Sequence, residues 1–129
     1  MMNSKKVIYG FIITGLMILI GCGGIAELTK AELKLGTKNY DEAIPLYKEY
    51  LAKQPNSAIG HSKLGFAYLK TGRLDEAIVE FQTALKNEPG DPYSTYYLGL
   101  AWLNKENYEK AIEVWKSYRN RVQPLIEGE

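Results

Sequence analysis

The chain has one cysteine and one histidine in 129 residues. A single thiol excludes an internal disulfide framework and a multi-thiolate metal site, and a single imidazole excludes a histidine cluster. An excess of charge of one sign is also missing, because 16 Lys and Arg stand against 15 Asp and Glu. Setting aside Lys5 and Lys6, which belong to an N-terminal segment treated below, leaves 14 basic residues against the same 15 acids. That balance gives no reason to invoke nucleic acid or an acidic substrate. Gly21, Gly23 and Gly24 make no phosphate loop, since no strand precedes them and no lysine follows at the required spacing. The acidic pairs Asp41/Glu42 and Asp75/Glu76 each begin a helical pattern, where carboxylates complement the positive helix end, so they do not read as catalytic pairs. No set of acid, base and nucleophile stands out, and neither an enzyme nor a metal or other cofactor is expected.

What the chain does contain is repetition. From Ala58 to Asp91 it reads as a helix, a stop at Gly72 and a second helix ending at Pro89, with apolar residues three and four apart. Shifting by 34 residues aligns Ala43, Ala77 and Ala111, then Ile44, Ile78 and Ile112, then Tyr47, Phe81 and Trp115. Leu35, Leu69 and Leu103 fall into the same register, as do Tyr40, Leu74 and Tyr108. Asp91 before Pro92 is a strong helix start, and Asn56 or Ser57 can cap the helix that follows them. Asn39 reads as an N-cap with Glu42 as its capping-box partner. Pro45 should bend the second helix or delay its start, and Pro124 marks the end of the last one.

These positions resemble the tetratricopeptide repeat, whose small, aromatic and proline positions match Gly65, Tyr68, Ala77, Phe81, Ala84 and Pro89. The resemblance implies an all-α solenoid of three helix-turn-helix repeats, at residues 24–57, 58–91 and 92–124, with a tail at 125–129. Gly65 would then sit where the two helices of one unit cross closely, and His61 where many repeats place a tryptophan. The tail is too short for the extra helix that usually closes such arrays, which leaves the last apolar face without an obvious cover.

Residues 1–21 read as a signal helix. Lys5 and Lys6 give it a positive start, and Val7 to Ile20 is uncharged and apolar. As a helix that stretch is about 21 Å long at roughly 1.5 Å per residue, short of a hydrocarbon core of about 30 Å. Leu19, Ile20, Gly21 and Cys22 resemble the lipobox of bacterial lipoproteins, which implies a diacylglyceryl group on the Cys22 sulfur and cleavage just before it. The alternative is an uncleaved anchor over Val7 to Ala26 with Cys22 an ordinary buried thiol. Residues 22–24 then form a short linker, which holds the repeats within about 10 Å of the headgroups. The lipoprotein resemblance implies a bacterial envelope location with lipid (palmitate-type acyl) attachment, on the outer membrane facing the periplasm where the host is Gram-negative, because Gly23 rather than aspartate follows the cysteine.

In the family that this chain resembles, the first helix of each unit lines the concave face through its second, fifth, ninth and twelfth positions. Carried over, the expected partner-binding groove is Ile59, Ser62 and Phe66 with Tyr93, Tyr96 and Leu100, extended by Ile25, Leu28 and Glu32, while several of the twelfth-position leucines Leu35, Leu69 and Leu103 are expected in the core. The lysine and asparagine with which one subgroup grips a C-terminal carboxylate are absent, since those places hold Leu28 and Glu32, Ser62 and Phe66, Tyr96 and Leu100. The expected function is therefore a membrane-anchored adaptor that holds a peptide or helix of another protein in an apolar, partly aromatic groove. A structural module that pairs two copies through the uncovered third repeat is the alternative. Nucleic acid is not an expected partner.

Overall fold

The computed structural model describes residues 24–127, with side chains to residue 124. Cys22, the signal segment and the cleavage site all lie outside the described residues. Six helices follow one another: α1 Ile25–Gly36, α2 Tyr40–Lys53, α3 Ala58–Lys70, α4 Leu74–Asn87, α5 Pro92–Asn104 and α6 Tyr108–Glu127. They pack as three hairpins, α1 on α2, α3 on α4 and α5 on α6, joined by the junctions α2 on α3 and α4 on α5. The first helices also stack along one side, where α3 meets α5.

Each hairpin closes in the same way. Lys38, Gly72 and Glu106 have positive φ (62°, 76° and 60°) and are spaced by the repeat period. The next amide reaches back five residues, from Asn39, Arg73 and Asn107 to the carbonyls of Lys34, Tyr68 and Trp102. The amides of Lys38, Gly72 and Glu106 bond to Leu35, Leu69 and Leu103. This is a Schellman closure, and only the middle copy supplies the glycine that the left-handed position favours.

That closure corrects the expected capping box. A box glutamate needs the amide of the cap residue, and the Asn39 amide is already held by the Lys34 carbonyl at 2.9 Å. The Asn39 side chain makes no cap bond, and Glu42 pairs with Lys34 at 2.6 Å instead. Asn107 does cap, its side-chain oxygen accepting from the Lys110 amide. Ser57 takes the cap of α3 and accepts from the Gly60 amide. Asp91 caps α5 with bonds from the Tyr93 and Ser94 amides.

Pro45 does not delay its helix, and Pro124 does not end the last one. Pro45 lies inside α2, yet that helix starts at Tyr40, in register with Leu74 and Tyr108. Asp41, whose carbonyl loses its bond, is exposed, so water can satisfy it. Pro124 likewise lies inside α6, which continues to Glu127, and the affected residue Asn120 is exposed.

The core repeats with the sequence. Ala43, Ala77 and Ala111 are all buried at equivalent places, and Tyr47 and Phe81 are fully enclosed. Small residues permit this approach. A Cβ at Gly65 would lie 3.1 Å from the Phe81 ring, and one at Gly99 would overlap the Trp115 indole.

Candidate functional site: an aromatic face on the first helices

The expected groove residues come from α3 and α5, and the structure divides them into three kinds. Ile59 and Tyr96 are exposed, at 53% and 56%. Phe66, Tyr93 and Leu100 are half-buried. Ser62 is buried, and its hydroxyl accepts from Ser94 at 2.8 Å. Ser62 thus fastens α3 to α5, and its hydroxyl is engaged within the protein.

The rings form one connected floor. Phe66 lies 4.9 Å from Tyr97 and 6.0 Å from Tyr93, and Tyr93 lies 4.5 Å from Tyr97. Tyr40 meets Phe66 edge-on from α2, and Tyr96 meets Tyr97 edge-on. Such edge and tilted contacts suit the ring quadrupole and hold flat side chains without fluctuating stems. Two ammonium groups sit over this floor, Lys63 over Tyr93 at 5.1 Å and Lys70 over Phe66 at 5.2 Å. Beside it, Ile59, Ser62, Lys63, Glu88, Asp91 and Tyr93 line a cleft of about 270 Å³.

Burial pushes the Tyr93 hydroxyl above the usual tyrosine range, with further upward contributions from Tyr97 and from the Glu32 carboxylate. Tyr47 is raised for the same first reason and because its hydroxyl donates to Glu32 at 2.8 Å. Glu32 of α1 is therefore tied to the core beneath this face. Leu28 packs partly buried against the core, as do Leu35 and Leu100, while Leu69 is fully part of it.

Tyr40, Tyr97, Lys63 and Lys70 were not among the expected site residues. Tyr97 falls in register with Lys63 and Thr29, so the repeat gives it no family role. The one available signal was its position four residues after Tyr93, on the same helix face. His61 serves the scaffold: one ring nitrogen lies 2.6 Å from a Glu80 carboxylate oxygen and the other 2.9 Å from the Pro55 carbonyl. Among the described residues no His, Cys, Asp and Glu group could hold a metal ion. No described helix is long and apolar enough to cross a membrane.

The architecture is that of a tetratricopeptide solenoid. Residues 34–95 match the tetratricopeptide repeat family model. Among solved structures, the MamA 41-end chain from Desulfovibrio magneticus RS-1 superposes with a TM-score of 0.72 at 25% identity, over 74% of this chain and 54% of that one. Another MamA crystal structure gives 0.79 at 20% identity, over 83% and 58%. The TPR2B-domain:pHsp70 complex of yeast Sti1 gives 0.75 at 19% identity, over 83% and 86%. The chain therefore spans little more than half the length of those MamA chains. No curated protein matches it.

Proposed function

We propose that the chain is a membrane-tethered adaptor whose α3 and α5 face holds a segment of a protein partner. The observation that carries this reading is the pair Ile59 and Tyr96, left exposed beside a fixed aromatic floor. Large rings held in place lose little rotamer freedom on binding, and they present both apolar area and hydroxyl tips. The ammonium groups of Lys63 and Lys70 at the rim favour a partner segment that pairs apolar side chains with carboxylates. The Sti1 likeness supports the fold, but the residues of a carboxylate clamp are not present here: Ser62, Phe66, Tyr96 and Leu100 occupy its positions.

The tether is the lipid on Cys22, after removal of residues 1–21. Lys5, Lys6, the apolar stretch Val7 to Ile20 and the small residues flanking Cys22 support it. Two or more acyl chains hold a protein stably, where one gives only reversible binding. The proposed location is the bacterial envelope, on the periplasmic side of the outer membrane where the host has one.

Affinity capture from native membranes tests both parts. Tyr96→Ala, an exposed site, should strongly reduce the captured partner with helicity unchanged, and Tyr93→Ala with Tyr96→Ala should abolish capture. An unchanged set of captured proteins contradicts the groove. Mass analysis should show a mature chain beginning at a diacylated Cys22, and a mature chain that retains Lys5 and Lys6 contradicts the tether.

A further inference from the structure

The internal junctions show how the ends of this solenoid could be covered. A Cβ at Gly60 would meet Tyr50 and Leu51, so the stripe Gly60, Leu64 and Ala67 of α3 faces α2. In α1 the same stripe reads Ala26, Lys30 and Leu33, and it is exposed. At the other end, the α6 counterparts of Ile44 and Leu51 are Ile112 and Arg119. Ile44 and Ile78 are 6% and 5% exposed, but Ile112 is 48% exposed. Ala67 and Ala101 are fully buried, but Leu33 is 65% exposed.

We propose that these two ends are complementary and that a second copy of this chain covers them, α1 of one molecule packing on α6 of the next in the register of the internal junctions. That register sets Leu33 against Ile112. Two charge matches support the choice of occupant. In the junction between α4 and α5, Asp75 ion-pairs with Lys105. Glu109 holds the place of Asp75 on α6, and Lys38 stands at the corresponding end of α1, next to Thr37, the counterpart of Lys105. Glu27, beside Ala26, has one carboxylate oxygen paired with Lys53 and the other buried without a hydrogen-bond partner. Arg119, in the place of Leu51, is the residue that the register brings against Ala26, next to the Glu27 carboxylate, because Leu51 meets the Gly60 position in the internal junction. The face of α6 that carries Glu109, Ile112, Glu113 and Lys116 is open, with about 520 Å³ of free space above it.

Lys30 and Arg119 replace leucines of the internal junctions, so the contact is more polar and reversible. Because the two surfaces differ, it is heterologous and extends into open chains instead of closing as a pair of third repeats would. It leaves the aromatic face free and is independent of what that face binds.

Sedimentation of the full chain in mild detergent tests this, using Leu33→Glu and Ile112→Glu. Both sites are exposed, so both variants should retain wild-type helicity. The wild type should form a ladder of species that grows with concentration, each variant alone should associate at least about tenfold more weakly, and a one-to-one mixture of the two should give a heterodimer and stop there. A wild type that is monomeric at every concentration overturns the proposal, as does a mixture that stays monomeric. So does Leu33→Glu associating like the wild type while Ile112→Glu does not, the pattern expected if third repeats pair with each other. Tyr96→Ala should leave the ladder intact.

Discussion

Glycines set how closely the helices of a hairpin approach at Gly65 and Gly99. Gly99 leaves room for the Trp115 indole, which a Cβ would overlap. Alanine is the better helix former by about 1 kcal/mol, yet overpacking of this kind costs about 1–3 kcal/mol. Gly99→Ala should therefore lower the stability measured by denaturant titration, and an unchanged midpoint would contradict the packing described. The buried tyrosines make a second prediction. Burial raises both Tyr47 and Tyr93 above the ordinary value of 10.0. Below that value native and unfolded chains are both protonated there. As pH climbs through it the unfolded chain sheds protons that the native chain keeps, so stability falls. The thermal midpoint should drop from about pH 10 upward, and Tyr47→Phe should make that drop shallower. A midpoint that holds steady to about pH 12 would contradict the burial of these hydroxyls.

Among the helices, existence and register were legible because apolar spacing and the alanine positions repeat every 34 residues. How the helices end was legible only in part. Asp91 and Ser57 cap as their sequence suggests, since nothing competes for the amides they accept from. Asn39 does not, because the preceding Schellman turn occupies the amide that a capping box requires, and one-dimensional spacing carries no sign of that competition. That Pro45 does not delay its helix and Pro124 does not end its own has a related reason: the cost depends on whether the orphaned carbonyl meets water, which is a property of the packed surface. Asp91 also aims the start of α5 and so Tyr93. Replacing an N-cap aspartate by alanine costs about 1 kcal/mol. Asp91→Ala should lower the thermal midpoint and weaken partner capture together, and a capture defect without loss of stability would separate the two roles.

For the molecule as a whole, three hairpins in constant register give an inward face built from first helices and two ends that repeat the chemistry of the internal junctions. The family pattern points to Ile59, Phe66, Tyr93, Tyr96 and Leu100 on that face and to a scaffold role for His61. It missed Tyr97 and the lysines over the rings, because residues peculiar to one repeat leave no trace in an alignment of repeats. Ser62, expected as a contact residue, lines the cleft but is buried, and the bond from Ser94 makes it a fastening between α3 and α5 as well. Whether a partner lies on the α3 and α5 face is read out by photocrosslinking in native membranes. A photoreactive phenylalanine would replace either Tyr96, on that face, or Val79, exposed at 58% on α4. A discrete protein adduct is expected from position 96 and none from position 79. Adducts from position 79 alone, or equal adducts from both, would contradict a partner on that face.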